Sequence, residues 1–294
     1  MKLNLNYITG LLEYEKVENA LYVVATPIGN LGDITIRSLK ILSCVDLILC
    51  EDTRTSKKLT NKFEIKTPLK PFHKHNSGRS IPDIIKRLKI GLSIALISDS
   101  GTPIISDPGS DLVNACIASN ITVYSLPGPS AVIASLVHSN FSDISFQFRG
   151  FFPRQKKEIN KVINLLKTVD CPVIFFESPK RILKTLNTVS EKCGNRNITL
   201  VRELTKKNEE VFNSSIFDLI QVLGRRRKIL GEITLIIEPL KKQNSNNINK
   251  REILVLSKRL SEEGLNISEI SKIISKDFNI SKREVYQLLI KNKY

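Results

Sequence analysis

Four short clusters hold residue types that could do chemistry: Thr26–Leu31 (TPIGNL), Glu51–Arg54 (EDTR), Ser98–Pro103 (SDSGTP) and Leu126–Ala131 (LPGPSA). Gly29, Gly101 and Gly128 would let backbone approach a ligand closely. The hydroxyls and carboxylates beside them could accept hydrogen bonds, or protons, from it. A further turn, Ser106-Asp107-Pro108-Gly109, follows the third cluster at once. Neither G-x-G-x-x-G nor G-x-x-x-x-G-K-[ST] occurs, so neither a dinucleotide nor a P-loop nucleotide is expected.

Each cluster follows a short apolar run, such as Leu21–Thr26 or Ile94–Ile97. A buried strand that stops in Gly, Pro and small polar residues reads as the carboxyl end of a parallel strand, where open α/β sheets place ligands. Four such ends in one sheet share a rim and line one cleft. Helical spacing alternates with the runs, which predicts parallel α/β architecture. One helix is expected from Ile34 to Leu42 with Asp33 as its N-cap. After a break near Ser139–Asp143 the alternation resumes, through helices Lys156–Lys167, Arg181–Cys193 and Ile216–Leu223 and strands Pro172–Phe176, Ile198–Val201 and Glu232–Ile237. The expected organisation is an N-terminal extension (1–20), a first α/β domain (21–138), a second (139–240), a polar linker (241–250) and a helical module resembling a helix-turn-helix (251–294). In that module Asn266 with Glu269, and Ser281 with Glu284, have capping-box spacing.

The net charge of +16 is unevenly spread: residues 151–250 carry 20 Lys and Arg against 10 Asp and Glu. Such a field attracts a polyanion such as RNA, and would also draw an acidic small molecule. No apolar stretch approaches the roughly 18 residues of a membrane span, and the N-terminus lacks signal-peptide architecture, so a cytoplasmic protein is expected. The five cysteines are odd in number and far apart, which suits reduced thiols and gives no zinc spacing. With three histidines besides, no metal is expected.

TPIGNL-x-DIT, EDTR, SDSGTP-x-x-SDPG and LPGPSA, read in order, resemble the tetrapyrrole methylase superfamily. With FFESPKR (Phe175–Arg181), RELTK (Arg202–Lys206) and GEITLIIE (Gly231–Glu238), the chain is similar to the ribosomal RNA small subunit methyltransferase I family within it. The resemblance runs from about Leu21 to Glu238 and extends to the helical tail. It departs from the family pattern at Cys50 and Ser100, where Ala is usual, and at Ser77, where Glu is usual. It implies two α/β domains with a cofactor cleft between them, and a homodimer acting on 16S rRNA. The implied reaction is transfer of a methyl group from S-adenosylmethionine to the ribose 2′-hydroxyl of a decoding-centre cytidine. A small carboxylated tetrapyrrole is the rival substrate on the same fold, and a non-enzymatic RNA-binding assembly factor is a second rival.

On that reading Asp99 is the principal cofactor residue, flanked by Pro27, Ile28, Gly101, Thr102, Pro103, Ser130 and Ala131, with Phe176 walling the adenine. Glu51, Asp52 and Glu177 are the carboxylates that could assist the hydroxyl proton. Arg54, His75, Arg181, Arg202, Lys206, Arg225, Arg226, Arg227, Lys282 and Arg283 are the expected RNA contacts.

Overall fold

The computed structural model describes residues 17–139, 145–239, 250–277 and 281–291. They fall into two compact units, divided between Pro239 and Leu240. Most of the expected N-terminal extension, the break at 140–144 and nearly all of the expected linker lie outside the described residues.

The first unit opens with a five-stranded sheet: β1 (Leu21–Val24), β2 (Leu47–Cys50), β3 (Leu69–Pro71), β4 (Ile94–Leu96) and β5 (Val123–Leu126), in the order β3-β2-β4-β1-β5. Every pairing is parallel. The helices are α1 (Ile36–Cys44), α2 (Thr53–Lys62), α3 (Ser77–Lys89), α4 (Ser110–Ala118) and α5 (Ala131–Leu136). The central strands β1, β2 and β4 are apolar and buried along their length because both faces are covered. Tyr22, Val24, Ile48 and Ala95 pack toward Leu39, Leu42 and Leu59 of α1 and α2. Leu21, Leu49, Ile94 and Leu96 pack toward Ile84, Leu88, Leu112 and Cys116 of α3 and α4.

The expected cap at Asp33 is corrected by the structure. Asn30 caps a single 3₁₀ turn, Leu31–Asp33, by accepting from Gly32 N at 2.9 Å. That turn takes up Asp33, and Thr35 caps α1 instead, accepting from Ser38 N at 3.1 Å. Strand β3 has no counterpart in the pattern reading, because it is three residues long and ends in proline at a sheet edge.

The second sheet comprises β6 (Gln147–Phe151), β7 (Val173–Glu177), β8 (Asn197–Arg202), β9 (Glu210–Ser215) and β10 (Ile233–Ile237), in the order β6-β7-β10-β8-β9. Only β6 and β7 pair in parallel; β7, β10, β8 and β9 run antiparallel in turn. Helices α6 (Lys156–Thr168), α7 (Ile182–Cys193) and α8 (Ile216–Gly224) cover one face through Leu166, Leu186, Leu219 and Leu223. On the other face, Val132 of α5 packs against Ile174 and Ile236. Helix α5 is therefore the wedge through which the first sheet meets the second.

The second unit is α9 (Lys250–Glu262), α10 (Ile267–Asp277) and α11 (Lys282–Lys291) around Ile253, Ile270, Ile274, Val285 and Leu289. Both capping boxes form. Asn266 Oδ1 accepts from Ser268 N and Glu269 N while Glu269 accepts from Asn266 N, and Ser281 pairs reciprocally with Glu284. Among the described residues, no helix is long and apolar enough to cross a membrane.

Candidate functional site

The four clusters sit at the carboxyl ends of β1, β2, β4 and β5, on one rim of the parallel sheet. Main-chain bonds tie three of them together. Thr26 and Gly101 exchange both backbone hydrogen bonds, at 2.9 and 3.0 Å. The buried Thr26 hydroxyl donates to Ser98 O at 3.0 Å, and the Thr102 hydroxyl donates to Pro129 O at 3.3 Å. Gly128 fits because nothing larger could: a Cβ there would lie 2.7 Å from that of Ala25.

Between this rim and the second sheet lies a cavity of about 330 Å³, within the size range of small-molecule sites. From the first half come Ile28, Gly101, Thr102, Ile105, Ser106, Asp107, Ser130, Ala131 and Val132. The second half supplies Phe151, Phe176, Glu177, Ser178, Val201, Leu204, Glu232, Ile233 and Thr234, among others. Aliphatic and aromatic walls alternate with hydroxyls, and Asp107, Glu177 and Glu232 are the carboxyls on the wall.

Two loops that shape the cavity hold non-glycine residues in the left-handed region. In the first, Ile104 has φ 77° and Ser106 φ 71°; in the second, Glu203 has φ 53° and Thr205 φ 64°. For a β-branched residue such as Ile104 this conformation is costly. The second loop is locked by ion pairs from Lys206 Nζ to Glu203 at 3.0 Å and to Glu232 at 2.9 Å. It also reaches across to the first half: Asn30 N donates to the Thr205 hydroxyl at 3.1 Å. A Cβ on Gly29 would lie 2.4 Å from Lys206 Cγ.

The expected cofactor residues Ile28, Gly101, Thr102, Ser130, Ala131 and Phe176 come together on this wall. Pro27 and Pro103 are buried in the chain beside it. Asp99 is off the wall, at the surface, where Oδ1 accepts from Asp52 N at 3.2 Å.

The three candidate catalytic carboxylates separate. Asp52 caps α2 and grips Arg54 through Nε and Nη2, the latter at 2.7 Å. These bonds from Arg54 hold its pKa down to about 2. Glu177 has a side chain with no exposure. It accepts from Ser178 N at 2.7 Å and from Thr185 Oγ1 at 2.5 Å, with Arg181 Nη2 at 3.2 Å. Glu51 stands half-buried near Asp99, and its carboxyl is pushed up by burial and by that neighbour's charge.

The expected RNA contacts divide in the same way. Arg54, His75, Arg225, Arg227, Lys282 and Arg283 are exposed. Arg181 donates to Phe152 O and Pro153 O at 2.6 and 2.9 Å. Arg202 and Arg226 both clamp Glu210, at 2.8 and 2.7 Å, which pulls that carboxyl down to about 2. Arg226 also lies over the Phe212 ring. Together with Lys206, these cations serve internal partners.

In sequence Ser106 and Asp107 read only as a turn, Leu204 and Thr234 stand inside the RELTK and GEITLIIE strings without a role of their own, and Phe151 carries no chemical signal.

The family model for tetrapyrrole (corrin/porphyrin) methylases matches residues 20–220. Ribosomal RNA small subunit methyltransferase I of Thermotoga maritima is 44% identical over 217 residues, covering 74% of this chain and 97% of its own. The Bacillus subtilis protein of the same name is 40% identical, over 90% of this chain and 92% of its own. The Pasteurella multocida one is 38% identical, over 96% and 98%. In fold the chain is similar to a crystal structure of diphthine synthase, with a TM-score of 0.60 at 12% identity over 74% of this chain and 89% of that one. It is also similar to a uroporphyrin-III-C-methyltransferase from Thermus thermophilus, with a TM-score of 0.53 at 16% identity over 74% and 93%.

Proposed function

Since this chain belongs to the ribosomal RNA small subunit methyltransferase I family of the tetrapyrrole methylases, we propose that it methylates a ribose 2′-hydroxyl of a decoding-centre cytidine in 16S rRNA, with S-adenosylmethionine as donor. The observation that carries this reading is the cavity between the two sheets, walled by both halves of the first unit. Its residues fit the donor. Ile28, Val132, Phe176 and Val201 offer apolar walls for a flat purine, and the hydroxyls of Thr102, Ser130 and Thr234 offer hydrogen bonds. Gly101, at φ 80°, lets backbone approach. When bound, the donor supplies a methyl group already activated on a sulfonium, so the protein's part is to position, to exclude water and to handle one proton.

Arg54, His75, Arg225, Arg227, Lys282 and Arg283 are the expected contacts whose side chains stand exposed and can meet RNA phosphates. On this reading the chain is organised as two α/β domains at 21–138 and 139–240, together forming the first compact unit, and a helical RNA-binding module from 251. The family likeness supports a cytoplasmic homodimer working on the rRNA of the small subunit.

The test is to incubate the purified chain with S-adenosylmethionine and small subunits that lack the modification, then digest the rRNA to nucleosides. The expected product is 2′-O-methylcytidine at one position. A protein that binds the donor and leaves every ribose unmodified would refute the reading.

A further inference from the structure

We propose that Asp107 is the catalytic residue that accepts the proton of the attacking ribose hydroxyl; this rests on the methyl-transfer reading above. The carboxyls near the cavity differ in what already holds them. Asp52 is tied to Arg54, Glu232 to Lys206, and both oxygens of Glu177 are engaged. Asp99 and Glu51 are off the cavity wall. Asp107 is on the wall and half-buried, and among the described residues no cation holds it.

Its backbone is set for presentation. Ser106, immediately before it, is left-handed at φ 71°, and a Cβ on the facing Gly150 would lie 3.3 Å from the Ser106 hydroxyl. Strain of this kind persists where surrounding structure enforces it, and Asp107 beside it lies on the cavity wall.

The step balances. Asp107 takes the proton from O2′ as the O2′ lone pair bonds to the methyl carbon. The pair of the broken C–S bond stays on sulfur, which leaves as a neutral thioether. Asp107 then returns the proton to water. The groups that bear on Asp107 are the nearby Ser98 hydroxyl, which favours its ionised form, and the acids Glu51 and Asp99, which oppose it; Glu177 and Glu232 share the same cavity. Burial first, and then the Glu51 charge, push the Asp107 carboxyl up to about 6. A base poised just below neutral pH is ionised at work and still basic enough to take a proton.

The experiment uses the full chain, S-adenosylmethionine and unmodified small subunits. Wild type is expected to show kcat/KM rising through about pH 6. Carboxyl resonances of the free protein, assigned with Asp107→Asn, should show a group titrating at the same pH. Asp107→Asn should bind the donor as wild type does, lose on the order of a hundredfold or more in kcat, and lose the inflection. Asp107→Glu should recover part of the rate. Glu51→Gln should move the inflection to lower pH by removing a neighbouring charge, a readout that survives if Asp107→Asn fails to fold.

Three results would overturn the assignment: an Asp107→Asn variant active with an unmoved inflection, one that no longer binds the donor, or a Glu51→Gln profile identical to wild type. A wild-type protein that methylates nothing would instead bring down the function proposed above.

Discussion

Arg181 stands where a cleft cation could grip an RNA phosphate, yet its contacts assign it to the fold. Its guanidinium donates to Phe152 O at 2.6 Å and Pro153 O at 2.9 Å and lies 3.2 Å from Glu177 Oε2. Glu177 has a side chain with no exposure. Arg181→Met keeps most of the aliphatic stem and removes the charge. Stripping one partner from a buried pair costs about 3–5 kcal/mol. Ser178 N and Thr185 Oγ1 still serve Glu177, which argues for the lower part of that range. Two carbonyls also lose charge-assisted donors, each worth roughly 1.5 kcal/mol or more, which argues for the upper part. The working figure is about 4 kcal/mol. At roughly 2–4 °C per kcal/mol for a unit of this size, the melting temperature should fall by about 8–16 °C. Melting followed by circular dichroism measures this directly, and Arg181→Lys should recover part of it, since an ammonium cannot reach all three acceptors at once. Salt titration of RNA binding is the second arm: its log–log slope should match wild type at a temperature where the variant is folded. A variant that melts with wild type while its slope drops by about 0.7–0.9, the signature of one lost phosphate contact, would refute this reasoning.

The basic run behaves in the opposite sense: neutralising the exposed Arg225, Arg227 and Lys228 should flatten the salt dependence of RNA binding by up to about 0.9 per contact without moving the melting curve, checked by filter binding at several salt concentrations. Replacing Ala131 on the cavity wall by Phe should sharply weaken S-adenosylmethionine binding in calorimetry while the protein still melts cooperatively. Glu210 carries a pH prediction. Its pKa is lowered from 4.5 to about 2 by Arg226 and Arg202, so its stabilisation is complete above about pH 5 and is lost as pH falls toward 2. Glu210→Gln should therefore be less stable than wild type in urea titrations at pH 7, and the gap should close on acidification.

Much of the first half was legible in sequence, because strands buried on both faces of a parallel sheet read as continuous apolar runs that end in Gly and Pro turns. Leu21–Val24 and Leu47–Cys50 are of this kind, each with every residue buried. Strand β9 gave no such signal: Glu210–Ser215 is a half-exposed edge strand whose polar residues answer to partners on β8. The cap at Asp33 was misplaced because Asn30 builds a short turn first, and nothing in composition separates a 3₁₀ turn from the start of a helix. In the site, the first-half wall was visible as motifs, while Phe151 lay outside every motif and Leu204 and Thr234 stood within motifs that gave no sign of a cavity. Their place on the wall comes from the packing of the second sheet against the first. The cation run could not be sorted from sequence either, since Arg226 and Arg225 are adjacent and identical, and only position relative to Glu210 and Phe212 tells them apart.

The cavity takes its walls from Ile28 at one end of the first unit to Thr234 at the other. During synthesis, then, the chain presents only the first-half wall of the cavity until β10 has emerged. Before residue 150 is made, the strained turn at Ile104–Ser106 stands without Gly150 against it. Ligand binding can stabilise the finished unit only through mass action on its complete form. Saturating ligand should slow its unfolding and leave the early steps of its folding untouched.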